Sequence, residues 1–138
     1  MQTTFLVLAV VAMVLGQVEK SPLEGRWTAD LPASRLHPGV SVRSITLDFA
    51  VSPDRVRIID DVVTASGERV RQGPAVFLTD GREHPNDALR PGLVVRAHWP
   101  NPRRLETVLT RPGIVERVTY EVSSDGGVLT NTTEASVG

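Results

Sequence analysis

The 138-residue chain has the length of a single domain, and its 15 basic and 16 acidic residues leave a net charge of -1. This balance, without any basic run, provides no field to attract nucleic acid and argues against nucleic-acid binding. The chain contains no cysteine, which excludes disulfides, thiol chemistry and lipid attachment to a cysteine after a leader.

The N-terminal segment reads as an export leader. An apolar run from Phe5 to Leu15 ends at Gly16, is shorter than the roughly 20 residues that span a bilayer, and closes on a small residue that a signal peptidase accepts. We therefore predict a signal peptide over residues 1–16 and a single domain over residues 17–138, secreted or periplasmic and without a stable membrane anchor. The alternative is an uncleaved anchor, since no Lys or Arg precedes the run.

The rest of the chain consists of short β-type segments separated by turns. The first surrounds Trp27, and the others cover residues 41–51, 55–64, 69–79, 93–99, 104–111, 114–123 and 128–135. The turns include Ser52-Pro53-Asp54, Asp80-Gly81, Pro112-Gly113 and Asp125-Gly126, residues that favour tight reversals. We predict an all-β fold: an antiparallel up-and-down barrel of about eight strands, monomeric, with at most a short helical turn after the first strand. A sandwich is the alternative, and the consecutive hairpins favour the barrel.

Two of these segments have an irregular alternation of apolar and polar residues. In residues 55–64 the pair Asp60-Asp61 breaks the alternation, and a bulge is expected there that keeps both carboxylates out of the core. In residues 69–79 the parity of Val76 and Leu78 predicts that these two side chains point inward. Pro74 interrupts that segment and predicts an edge strand or a bend.

The chain contains a series of short motifs: Gly25-Arg26-Trp27, Asp30-Leu31, Ser34-Arg35-Leu36 before a Pro-Gly pair, the segment over residues 80–85, and Ser124-Asp125-Gly126. Together they resemble the motifs of small bacterial exported lipocalin-like proteins, which are calycin-type barrels of mostly undefined ligand. The resemblance implies a lipocalin-like barrel entered at Trp27. Lipocalins pack a basic residue of the last strand across this tryptophan; residues 128–135 contain none, and Arg117 is the candidate substitute.

The polar residues show no pattern that indicates catalysis. Asp80, Glu83 and His84 share one segment, but no second histidine lies at metal-ligand spacing, and they are interpreted as solvated turn residues. The chain has no Gly-x-Ser-x-Gly elbow and no phosphate-binding glycine loop,. We therefore expect no enzyme activity, no catalytic residue, no metal and no cofactor.

The aromatic residues give the candidate binding site. Phe49, Trp99 and Tyr120 lie on the apolar parity of three separate strands, and Trp27 is expected to close one end of the barrel,. The hypothesis is an exported, non-catalytic barrel that binds a small apolar or amphipathic molecule against Trp27, Phe49, Trp99 and Tyr120, with residues 80–85 at the mouth. The alternative is a structural or interaction protein of the cell envelope with a filled interior and no small-molecule ligand.

Overall fold

The computed structural model describes the backbone of residues 2–11 and the complete residues 20–36 and 39–137. All regular elements in these ranges are strands: β1 (Gln2–Val11), β2 (Gly25–Ala29), β3 (Val42–Val51), β4 (Arg55–Thr64), β5 (Arg69–Leu78), β6 (Glu83–Pro85), β7 (Val94–Asn101), β8 (Arg104–Arg111), β9 (Ile114–Val122) and β10 (Val128–Val137). All paired neighbours are antiparallel. The prediction of an all-β antiparallel fold is confirmed, and β1 and the short β6 are additional to the predicted strands.

The strands form two antiparallel meanders that β1 connects. Strands β2–β5 form one meander and β6–β10 the other, while β1 pairs with β10 along most of its length and with β2 at Ala9 to Val11. The resulting order is β5-β4-β3-β2-β1-β10-β9-β8-β7-β6. No backbone ladder joins β5 to β6 or β7 within the described residues, so hydrogen-bonded closure into a barrel is not observed.

A side chain bridges the two ends of this order. Asn86, directly after β6, donates from Nδ2 to the carbonyl oxygen of Val76 on β5 at 3.0 Å. The twist of antiparallel strands curls the sheet until its first and last strands approach each other. The two meanders therefore enclose a common interior.

A bulge in β5 reverses which of its side chains face that interior. Ile58 pairs with Ala75 but Asp60 pairs with Gln72, so β5 carries an extra residue at this point. The bulge contains Gly73, whose φ of +97° favours glycine,. Beyond it, the odd-numbered residues face inward.

This reversal corrects the predicted parity of β5. Phe77 is buried, whereas Val76 is 39% exposed, so the expectation that Val76 and Leu78 point inward is wrong. The prediction from Pro74 is confirmed, because β5 is an edge strand and bends where that proline lies.

Trp27 fills one end of the interior. Its side chain is 1% exposed, and Nε1 donates to the carbonyl oxygen of Leu23 at 3.0 Å. Leu105, Val122 and Leu129 are fully buried in the same apolar cluster. Arg117 is exposed on β9, so the idea that its guanidinium stacks on the buried Trp27 indole is wrong.

Some sequence predictions concern residues outside the described ranges. These are the cleavage site after Gly16 and the first residue of the Pro-Gly pair, Pro38. The described ranges contain no apolar helix of bilayer-spanning length.

Candidate ligand-binding cavity

A cavity of about 360 Å³, partly open to solvent, lies between the two meanders. Its wall takes residues from β3, β4 and β5 on one side and from β8, β9 and β10 on the other. The apolar cluster around Trp27 fills one end of the interior, while the middle remains open. The interior is thus packed at one end and hollow beyond it.

An aromatic pair forms the boundary between the packed end and the cavity. Tyr120 lines the cavity, and its ring meets Phe49 edge to face, with centroids 5.1 Å apart and planes at 76°. This geometry places the positive edge of one ring against the negative face of the other. Leu47, Ile58 and Phe77 extend the apolar surface beside the pair.

Of the two adjacent aspartates in β4, Asp60 lines the cavity and Asp61 does not. Asp60 lines the cavity together with Ile58 and Val62 of the same strand, because alternate residues of a strand share a face. Leu47 of β3 and Gln72 of β5 are its cross-strand partners. The expectation that a bulge keeps both aspartates away from the interior is wrong, since the extra residue lies in β5 and leaves the alternation of β4 intact.

Asp61 shows the opposite environment one residue later. Its carboxylate pairs with the Arg69 guanidinium, with 3.3 Å between Nε and Oδ1. Asp61 does not line the cavity. No hydrogen bond or ion pair from the described residues reaches Asp60. Burial, and secondly the negative charge of Asp61, raises the pKa of Asp60 from its ordinary value of 3.8 to about 6,.

The Tyr120 hydroxyl shares the same environment. Burial raises the pKa of Tyr120, with a further contribution from the charge of Asp60. The phenol is therefore a neutral group that remains able to donate a hydrogen bond. It presents a polar atom within an otherwise apolar part of the wall.

A folded loop over residues 86–93 covers part of the cavity. It is held by bonds from Asn86 N to Leu93 O at 2.8 Å and from Gly92 N to the Asp87 carboxylate at 2.9 Å. Leu89 and Leu93 line the cavity, whereas no residue of segment 80–85 does so. Residues 80–85, where the mouth was predicted, therefore do not border the cavity, and the next loop contributes to its lining instead.

Three further charged side chains line the cavity, together with the polar Asn131 and Thr133 of β10. Arg90 belongs to the covering loop and is exposed. Arg111 and Glu116 face each other with 3.8 Å between Nη2 and Oε1. Because Arg111 and Glu116 compensate each other, Asp60 and Arg90 remain as the cavity's charges without an opposite partner among the described residues.

The four predicted binding residues occupy different positions. Tyr120 lines the cavity and Phe49 contacts Tyr120. Trp27 lies within the packed end, and Trp99 is half-buried against the same apolar cluster. Neither tryptophan is among the residues that line the cavity.

The polar segment near Asp80 has the character of a surface turn. The Asp80 carboxylate accepts from the backbone of Arg82 at 2.9 Å and faces His84 Nε2 at 2.9 Å, contacts that lower the pKa of Asp80 in that order. His98 lies on β7 beside Glu106, at 3.6 Å. Within the described residues, no three His, Cys, Asp or Glu side chains form a group that could hold a metal.

Sequence reasoning missed several residues of the cavity. They are Asp60, Gln72, Phe77, Leu89 and Arg90. The signal available for Phe77 was Gly73-Pro74, a pair that marks bulges and therefore changes of parity. The position of Leu89 and Arg90 depends on hydrogen bonds within the loop and on contacts distant in sequence.

No protein-family model, curated protein or solved structure shows significant similarity to this chain.

Proposed function

We propose that the protein is a non-catalytic binding protein that holds a small apolar or amphipathic molecule in the cavity between its two meanders. The observation that carries the proposal is the cavity itself, of about 360 Å³, whose wall combines aromatic and aliphatic side chains with polar and charged ones. Small-molecule sites have this character, with volumes of roughly 300 to 1,000 Å³. The volume favours a compact guest.

The rigid surroundings of the cavity support the same function. The apolar end around Trp27 and the edge-to-face pair of Phe49 and Tyr120 fix the inner wall, so little ordering is required when a guest enters. The competing interpretation, a structural protein with a filled interior, accounts less well for a partly open cavity of this size between the meanders, because close-packed interiors contain few voids larger than a water molecule.

Two parts of the proposal rest on sequence patterns. A lipocalin-like barrel agrees with the meander order and with Trp27 near the start of the mature chain, although the two ends of the sheet meet through Asn86 rather than through a ladder. Export to a secreted or periplasmic location rests on the apolar leader. Removal of residues 1–16 would also remove β1, so β2 and β10 would have to pair with each other directly in the mature protein. The protein would act as a monomer in that compartment.

Direct binding of a fluorescent apolar probe tests the binding proposal. N-phenyl-1-naphthylamine, neutral at pH 7, should bind the folded protein with a rise in emission. Val118→Trp, which adds a ring inside the cavity, should weaken this binding by at least about tenfold, a change of about 1.4 kcal/mol,. Val115→Trp is the matched control, because Val115 lies on the same strand but is 42% exposed on the outer face.

Melting temperatures establish that both variants are folded. A probe that fails to bind the wild-type protein would favour the structural-protein interpretation. Equal binding to both variants would place the probe outside the cavity and contradict the proposed site.

A further inference from the structure

The placement of Asp60 distinguishes this cavity from a purely apolar container. Along β4 its neighbours on the cavity face are Ile58 and Val62, and Leu47 lies across from it on β3. Ile45 pairs with Val62 one step further along the strands and also lines the cavity. The carboxylate therefore has apolar wall on both sides along the strand direction.

The remaining charges do not neutralise this carboxylate. Arg111 is engaged with Glu116 at 3.8 Å, and Arg90 lies on the exposed covering loop. Neither guanidinium forms an ion pair with Asp60. Asp61 in turn has its own partner, Arg69, outside the cavity.

Asp60 is only partly exposed, so burial removes part of the hydration of its carboxylate, and a positive charge beside it would lower its free energy. Gln72, the cross-strand partner of Asp60, and Tyr120 line the same cavity, as do Asn131 and Thr133. These side chains supply hydrogen bonds but no positive charge. A guest that brings its own positive charge would satisfy the carboxylate and place its apolar part against the surrounding wall.

We propose that the cavity selects small molecules that carry a protonated amine on an apolar body, with the ammonium group bound by the Asp60 carboxylate. This inference rests on the proposed binding function and specifies its ligand class. The ammonium donates to Asp60, and the Tyr120 and Gln72 side chains complete its polar surroundings. The apolar body lies against Leu47, Ile58 and Phe77.

A carboxylate guest at Arg90 is the competing arrangement. That guanidinium is exposed and keeps its water, so an anion gains little there. An anion in the middle of the cavity would in addition meet the like charge of Asp60. Asp60 therefore favours an amine guest in two ways, because it attracts the ammonium group and repels a competing carboxylate.

Three guests that share an eight-carbon alkyl chain but differ in head group test this selection. They are octylamine, 1-octanol and octanoate, and each is measured by its displacement of N-phenyl-1-naphthylamine at pH 7.5. We expect octylammonium to bind at least about tenfold more tightly than 1-octanol, since hydrogen bonds to charged groups contribute this much or more. Octanoate should bind more weakly than either.

Asp60→Asn should remove the preference for octylammonium over 1-octanol while 1-octanol still binds. Asp61→Asn is the matched control, because it removes the same charge one residue away and outside the cavity, and it should retain the preference. A preference that survives Asp60→Asn, or tightest binding by octanoate, would overturn the amine proposal and leave apolar binding intact. Failure of all three guests and of the probe would overturn the binding function as well.

Discussion

Replacing Asp60 by Asn should make the protein more stable at neutral pH. The carboxylate has a folded pKa of about 6 against an ordinary value of 3.8, so the folded protein holds a proton that the unfolded chain has released between these two pH values. Stability therefore falls as pH rises through this window and stays at the lower level above it. Asparagine has nearly the same shape but cannot ionise.

The magnitude follows from the size of the pKa shift. A displacement of about two pKa units corresponds to about 3 kcal/mol at most, at 1.36 kcal/mol per unit. Because the cavity is partly open to solvent, water screens the charge, and we expect a gain of about 1 to 2 kcal/mol for Asp60→Asn at pH 7.5. Near pH 3.5 the gain should vanish.

Urea unfolding followed by tryptophan fluorescence measures this difference, since Trp27 is buried in the folded protein and exposed on unfolding. The free energies of unfolding of Asp60→Asn and wild type are compared from pH 3.5 to 7.5, so that titration of other groups cancels. Asp61→Asn is the control and should lose at most about 1 kcal/mol, because the Arg69 side chain of its ion pair is 72% exposed, although Asp61 itself is 14% exposed,. A difference for Asp60→Asn that does not change with pH would refute the reasoning.

Three further outcomes are expected from other parts of the structure. Trp27→Ala should lower the free energy of unfolding by about 3 to 5 kcal/mol, because it empties the packed end and leaves the Leu23 carbonyl without its donor,; an unchanged melting temperature would contradict this role. Gly73→Ala should lower the melting temperature more than Gly92→Ala. Both glycines have positive φ, but only at Gly73 would a Cβ lie 2.8 Å from backbone atoms,. Equal effects of the two substitutions would argue against a crowded bulge. Mass spectrometry of the exported protein should give a chain that begins at residue 17, and a mass that includes Met1 would count against the leader.

The strand pattern was predictable because it depends on local chemistry. Turn residues such as Pro112-Gly113 force reversals that fix the ends of neighbouring strands, and β8 begins and ends where its alternation predicts,. The strand that contains the buried Trp27 was predictable from the residues around it. These features need only a few adjacent residues.

The cavity was less predictable because it depends on how distant strands pair. An extra residue on β5 decides that Phe77, rather than Val76, faces the interior, and the hydrophobic pattern of β5 alone does not locate that residue. The sequence also suggested that two adjacent carboxylates avoid the core together. In the structure, successive side chains of β4 point to opposite faces of the sheet. Asp60 therefore lines the cavity, and Asp61 pairs with Arg69 on the other face.

The junction held by Asn86 has a consequence for how a guest reaches the interior. Elsewhere neighbouring strands are joined by backbone ladders, whereas in the described residues β5 meets the β6–β7 region through the Asn86 amide. A second, smaller hollow of about 240 Å³ lies along this junction, and Phe77 lines both it and the main cavity. Separation along this line breaks fewer backbone hydrogen bonds than separation anywhere else in the sheet, so local opening has its lowest free energy there. The rate of guest exchange would then depend on the Asn86 amide, which does not line the main cavity, and on the Phe77 ring, which does.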